Sequence, residues 1–487
     1  MSASLYLFNP DNDLALANNS PTYQAPQSAR LMADDLCTLP AWFATAGDSV
    51  MVSSIADAER WQREETAGLL TEIHWHSFRM APFVGELKPW GWNPALVKRL
   101  RQWGVEDSLL PSDLRMETMR RLSSREQAVK MLRRFVAASG ICGESSPRPY
   151  EESSSERTEN PFPRIASSSS FSEQSSSEQA ESQISRFDAS SRLCGESSSE
   201  QTTNILPRAA SSELCGESSS EEVGYKPSLS TASSSLCGES FFCTELSQVE
   251  PLVCGWGETL LKAPYSGSGK GLRQGRGTWT PALANWCGRV MRGQGGVVVE
   301  PLYNKVEDFA MEFRVEDDEV TFAGYSLFRT DGNGAYKGNL LATDAEIESR
   351  LARYVDVEAL HALRCEWLQA LRQWLFGVGY RGYLGVDMMV CRFAEAPIYR
   401  IHPCVEINLR MNMGVVARLF HDRFVEEGRT GTFTVEYWQD AAALYTDHLS
   451  RKAASPLVVS EGRILSGYLS LNPIGKGSHY RASVMVE

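Results

Sequence analysis

Gly385-Val386-Asp387-Met388-Met389-Val390 and, nineteen residues after its carboxylate, Val405-Glu406-Ile407-Asn408 decide the reading of this chain. Both are apolar runs of strand length, and in a strand successive side chains point to opposite faces. Glu406 and Asn408 therefore share a face, and Asp387 interrupts an otherwise apolar run. Two carboxylates and an amide oxygen are hard ligands, suited to Mg²⁺ that keeps waters and bridges phosphates. Polar groups turned inward on apolar strands cost free energy unless a cation or donors satisfy them. Arginines such as Arg400 and Arg410 are alternative partners, so ion pairing and metal ligation both stand at this point.

Two further clusters precede this one. Val297-Val298-Val299-Glu300-Pro301-Leu302, followed by Glu307-Asp308-Phe309, is an apolar strand ending in a carboxylate. It reads either as a hinge whose backbone meets an adenine edge or as a core strand with a charged end. Leu261-Lys262-Ala263-Pro264-Tyr265-Ser266-Gly267-Ser268-Gly269-Lys270-Gly271-Leu272 places one lysine on a strand and a second in a Gly/Ser loop. Glycine lets backbone N–H groups close on phosphate oxygens, although a flexible linker has the same composition. A P-loop is excluded: it requires Ser or Thr after Gly-Lys and a glycine five residues before that glycine. Here Gly271 follows Lys270, and Pro264 stands five before Gly269.

The flanks give the organisation. Leu5–Phe8 and Val50–Val52 read as strands, a helix follows over Ala56–Leu70, and Asn93-Pro94 opens another through Trp103. This alternation predicts an α/β domain over 1–115. Ser124 with Gln127 has capping-box spacing and opens a helix over Arg125–Ala138. From about 142 to 240 Ser dominates and the phrase Leu193-Cys194-Gly195-Glu196-Ser197 recurs at Leu214–Ser218 and Leu236–Ser240, with a variant at Ile141–Ser145. Such a composition buries too little to offset its ordering entropy, so 141–244 is expected to be a disordered insertion. Strands and helices without strict alternation then predict an α+β domain of two subdomains over 116–140 and 245–450. Tyr468–Asn472 and Ala482–Val486 suggest a terminal hairpin, within a 451–487 segment packed on the core.

Taken in order, the lysine strand and its loop, "VVVEPL", "GVDMMV" and "VEINLRMN" resemble the ATP-grasp superfamily. The resemblance implies ATP held between two α+β subdomains after an α/β domain. It implies Lys262 on the α- and β-phosphates, with the loop Ser266, Gly267, Ser268, Gly269, Lys270 and Gly271 folded over the triphosphate. Glu300 and the backbone of Leu302 would meet adenine, and Asp308 the ribose. Asp387, Glu406 and Asn408 would bind one or two Mg²⁺, with Arg410 facing the transferred phosphoryl group and Lys270 a second catalytic cation. For the family's earlier lysine the sequence offers Arg125 or Lys130. The implied reaction activates a small-molecule or peptide carboxylate as an acyl phosphate, which an amine or thiol attacks, releasing ADP and phosphate. A small-molecule kinase and a non-catalytic nucleotide binder are the alternatives.

Residues 141–250 hold 18 acidic and 7 basic residues, which account for nearly all of the net charge of −13. The remainder is close to neutral and lacks the basic stripe of a nucleic-acid binder. No run approaches the ~18 apolar residues of a membrane span, and Met1–Asp13 has no basic n-region. The 11 cysteines show no zinc spacing, and free thiols suit a cytoplasmic protein. The loop Asn9-Pro10-Asp11-Asn12-Asp13 follows the first strand, where open α/β sheets place their ligand crevice. It reads as a candidate acceptor-recognition loop or as a polar turn.

Overall fold

The computed structural model describes residues 3–138, 235–267, 271–332 and 334–487. The span from 141 to 234, most of the expected insertion, lies outside the described residues.

The N-terminal part is a four-stranded parallel sheet, β3-β2-β1-β4, built from β1 (Ser4–Leu7), β2 (Ser49–Met51), β3 (His74–His76) and β4 (Glu86–Pro89). Helices Asn12–Asn18 and Gln27–Asp35 lie between β1 and β2, Ile55–Glu65 lies between β2 and β3, and Pro94–Trp103 follows β4. The Asn93 side chain accepts the Leu96 N–H at 2.9 Å, as its N-cap spacing predicted. The helix Ile55–Glu65 stops five residues short of expectation, because Ala67 and Gly68 turn to positive φ.

Residues 241–301 form a four-stranded antiparallel sheet in the order β5-β8-β6-β7, with β5 (Phe241–Cys243), β6 (Glu258–Lys262), β7 (Leu272–Arg276) and β8 (Val297–Pro301). Two helices, Leu246–Trp256 and Pro281–Gln294, cover it, and Val249, Val253, Leu261, Cys287, Val297 and Val299 form its separate core. Strand β5 and the buried Leu236 and Cys237 fall inside the range assigned to the insertion. That boundary is corrected: the packed chain resumes by Leu236, because this segment meets an apolar strand edge rather than water.

The third sheet has nine strands: β9 (Lys305–Glu316), β10 (Glu319–Thr330), β11 (Tyr336–Leu341), β12 (Gly382–Arg392), β13 (Tyr399–Asn408), β14 (Gly431–Tyr437), β15 (Val458–Ser460), β16 (Arg463–Ser470) and β17 (Tyr480–Val486). Their order is β13-β12-β9-β10-β11-β14-β17-β16-β15, antiparallel throughout. One face packs on the helix Val357–Leu375, whose Leu360, Trp367 and Leu371 share one core with Val386, Met388 and Val390 of β12. The intervening residues Gly385, Asp387 and Met389 therefore face the other way. The fold class matches expectation: an α/β start, then α+β.

The C-terminal strands do more than pack on the core. Trp42 and Trp61 of the N-terminal part share one core with Phe420, Phe424, Leu469 and Val484, and the Trp42 indole donates to the Leu471 carbonyl at 2.8 Å. The first domain is thus tied to the last strands, which fixes the β1 loop over the large sheet.

Gly385 sits in the centre of β12 with no side chain because a Cβ there would meet the Glu312 carboxylate and the Asn412 amide. Gly385→Ala is expected to cost about 1–3 kcal/mol by overpacking. Gly255→Ala, in a helix with nothing within 4 Å of the added atom, should be neutral or stabilising by about 0.5–1 kcal/mol. Urea denaturation of both variants checks this contrast.

Candidate active site

Cross-strand register brings the metal-type ligands together. Asp387 stands opposite Glu406, and Asn408 stands opposite Gly385, so Asp387, Glu406 and Asn408 occupy one face of the β12–β13 pair. The missing side chain of Gly385 keeps the space beside Asn408 free for the Asn412–Glu312 pair, 2.9 Å apart. Burial, then the neighbouring Glu406 carboxylate, pushes Asp387 up to about 7. Burial likewise raises Glu312 to about 8, against the Asn412 hydrogen bond. Two carboxylates sharing one site resist ionising together, so the pKa of one rises.

Two arginines already partly neutralise the cluster. Arg125, only 7% exposed, donates to Glu406 at 2.7 Å, to the Ser266 hydroxyl at 2.6 Å, to the Ser266 carbonyl at 2.8 Å and to the Ala263 carbonyl at 2.7 Å. Its own N–H donates to Pro264. The sequence left Arg125 and Lys130 as alternatives for the earlier cation. Arg125 is the one at the site, while Lys130 is exposed and pairs with Glu126 on its own helix. The Ser124 hydroxyl accepts from the Glu126 N–H at 3.2 Å, one residue short of the capping-box position.

Arg410 is the second. It holds Asp13 in a two-pronged pair, at 2.8 and 2.7 Å, and also donates to the Asn408 side-chain oxygen at 3.0 Å. Burial alone would raise Asp13, but the Arg410 guanidinium outweighs it and keeps the carboxyl below its usual range. The β1 loop thus reaches the site through Asp13. A Cβ on Gly267 would lie 2.9 Å from the same carboxylate, so the Gly/Ser loop crosses directly over it. Asp13, Pro264, Ser266, Glu406, Asn408 and Arg410 line one common pocket.

Strand β6 leads into the pocket lining at Pro264–Ser266, and β8 pairs with β6. The loop after Lys262 is the tip of the β6–β7 hairpin: Lys262 pairs with Leu272, and the Ala263 N–H donates to the Gly271 carbonyl. Ser268, Gly269 and Lys270 lie outside the described residues. Lys262 and Glu300 form a buried ion pair at 2.7 Å, and the Ser240 hydroxyl donates to Glu300 at 3.3 Å. The Leu302 N–H donates to the Glu258 carbonyl at 2.9 Å, extending the β6–β8 ladder, so of the backbone expected to meet adenine the N–H is already engaged. Asp308 is held by Lys305 and by the Thr330 hydroxyl, and its register partner on β12 is Met389, the next residue on the Asp387 face.

His402, on β13, is fully buried, and neither ring nitrogen has a hydrogen-bond partner among the described residues.

No family model matches this chain, and no curated protein matches it. Solved structures do. N5-carboxyaminoimidazole synthetase from Staphylococcus aureus, complexed with ADP, is similar at 10% identity and TM-score 0.31, over 53% of this chain and 64% of that one. Biotin carboxylase from Campylobacter jejuni, in a complex with β-γ-ATP, is similar at 10% identity and TM-score 0.32, over 52% and 58%. D-alanyl-alanine synthetase A from Vibrio cholerae is similar at 13% identity and TM-score 0.26, over 38% and 55%. The match therefore spans less than two thirds of each of these chains. Among the described residues no helix is long and apolar enough to cross a membrane.

Burial drives the His402 imidazole down to about 4, with Glu300 and Lys262 the charged groups facing it. An unfolded histidine takes its proton near 6.5, so the unfolded state binds more protons than the folded state between about 4 and 6.5. Stability contributed by neutral His402 is therefore present above pH 6.5 and lost as pH falls, by up to ~1.4 kcal/mol per pH unit. Urea denaturation at several pH values should show His402→Phe losing less stability on acidification than the parent. An equal loss would contradict this.

Proposed function

We propose that this chain is an ATP-grasp enzyme that activates a small-molecule carboxylate as an acyl phosphate for attack by an amine or thiol. The observation that carries this reading is the register pairing of Asp387 with Glu406, with Asn408 on the same face and two arginines converging on the cluster. Arg125 also grips the loop at Ser266, and Arg410 is shared between Asp13 and Asn408, while burial and the facing Glu406 carboxylate keep Asp387 raised.

The donor set fits Mg²⁺: hard oxygens, two of them carboxylates, on adjacent strands. When bound, the ion would neutralise charge on the phosphate oxygens. The chain's own groups divide the remaining work. Lys262 exchanges its Glu300 partner for phosphate oxygens, and Ser266, tied to Arg125, sets the height of the loop above them. Arg410 is aimed along the face that carries Asn408, where a transferred phosphoryl group would sit, and Asp13 fixes its orientation through both nitrogens. Such groups accelerate phosphoryl transfer by position and charge, without covalent participation. The carboxylate oxygen attacks the γ-phosphorus and the bond to the β-bridging oxygen breaks, leaving ADP. The amine or thiol then attacks the acyl carbon and expels phosphate.

Incubation with ATP, Mg²⁺ and a pool of metabolite carboxylates, with products read by mass spectrometry, tests this. Hydroxylamine should trap a hydroxamate, with ADP formed. A stable phosphorylated product untouched by hydroxylamine would indicate a kinase, and AMP with pyrophosphate would overturn the proposal altogether. Glu406→Gln keeps the Arg125 hydrogen bond and should abolish turnover while the protein stays folded.

Lys262 makes a sharper case because its partner is buried. Lys262→Ala should lose about 1.5–3 kcal/mol of ATP affinity and also about 3–5 kcal/mol of stability, since Glu300 is left buried and unpaired. The double variant Lys262→Met/Glu300→Gln should recover the stability but not the affinity. Calorimetric titration beside urea denaturation separates the two effects.

A further inference from the structure

The phrase Leu-Cys-Gly-Glu-Ser, read from the sequence as part of a low-complexity insertion, has a built seat. Of its copies only Leu236–Ser240 lies among the described residues, and every residue of that copy makes a specific contact. Leu236 is buried and forms a parallel bridge with Ile401 on the free edge of β13. The Cys237 N–H donates to the Ile401 carbonyl at 2.8 Å, and its thiol rests against that of Cys391, beside Met389. Gly238 has φ +136°, and a Cβ there would lie 2.7 Å from Leu132 and 3.0 Å from His402. The Glu239 N–H donates to the Tyr303 hydroxyl at 2.6 Å, and the Ser240 hydroxyl to Glu300 at 3.3 Å. Apolar residue, thiol, glycine and hydroxyl are thus each selected, in order.

All these contacts are made by the five residues themselves, and the sequence Ile141-Cys142-Gly143-Glu144-Ser145 repeats the phrase with one isosteric change. Its place in the chain also fits. Helix Arg125–Ala138 passes the phrase at Leu132, next to Gly238, and its Phe135 shares a core with Leu236. From Leu132 the helix runs about 9 Å further to Ala138, at 1.5 Å per residue. The two residues Ser139 and Gly140 then allow a reach of about 11 Å to Ile141. A tether this short gives a high effective concentration at the groove. Leu236 is joined to the same helix only through the whole Ser-rich span, and its own advantage is direct continuation into β5.

We propose that the groove along β13 is a binding site for this phrase as such, and that Ile141–Ser145 competes with Leu236–Ser240 for it. The Ser-rich span is then bracketed by two interchangeable anchors. A linker replacing 141–240 would empty the groove, whereas joining Gly140 directly to Leu236 would leave it filled.

Cys391 reports which copy is seated. The full-length chain is treated with diamide, which takes two electrons and two protons from a thiol pair, and the Cys391 partner is mapped by non-reducing peptide mass spectrometry. Cys237 is expected as the main partner in the parent and Cys142 in Cys237→Ser. Gly238→Val disables the seated copy, so its melting temperature should fall less than that of Gly143→Val/Gly238→Val, which disables both. Three results would overturn the proposal: Cys391 left reduced in Cys237→Ser, Cys391 paired with Cys194 or Cys215 instead, or the single glycine variant melting as low as the double.

Discussion

Two carboxylates placed opposite each other on adjacent strands are the constraint around which this molecule is arranged. Asp387 and Glu406 are register partners, and like charges so placed repel unless cations neutralise them. Arg125 answers from the helix before the Ser-rich span, and Arg410 from the end of β13 itself. Each arginine carries a second attachment. Arg125 holds the turn at Ala263–Ser266, and Arg410 holds Asp13. The charge problem at one strand pair thereby ties together the phosphate-type loop, the large sheet and the N-terminal domain.

That coupling explains why the N-terminal domain shares a core with the last strands. Asp13 must be held in place to grip both Arg410 nitrogens, and the Trp42–Leu471 hydrogen bond and the surrounding aromatic cluster supply the rigidity. The hinge side is organised differently. Lys262 and Glu300 neutralise each other in a nearly dry setting, and Ser240 ties the phrase before β5 to the same carboxylate. Under the proposed function, a nucleotide entering there would replace one charge pair with another rather than find bare charges.

Much of the site was legible because it obeys period-two geometry. Asp387, Glu406 and Asn408 interrupt apolar strands, and the alternation alone puts the last two on one face. Lys262 and Glu300 were legible differently, as a strand lysine ahead of a Gly/Ser loop and as the carboxylate that ends an apolar strand. What escaped lies in long-range pairing. Asp13 and Arg410 are 397 residues apart, and no local pattern joins them. Arg125 and Lys130 differ only by which side of one helix meets the loop. Leu302 carried no signal that its N–H would be spent on the ladder with Glu258. Leu236–Ser240 was hidden by its surroundings: serine-rich composition argues for disorder, yet these five residues are matched to a specific groove.

The central claim is that Asp387, Glu406 and Asn408 hold a divalent cation together with a nucleotide. Mn²⁺ is a spin-active stand-in for Mg²⁺ with the same taste for oxygen ligands. Electron paramagnetic resonance of the protein with Mn²⁺ and ADP should show bound metal that depends on the nucleotide, and Glu406→Gln should lose that signal while ADP alone still binds. An unchanged Mn²⁺ signal in the variant, or metal binding indifferent to ADP, would contradict the account.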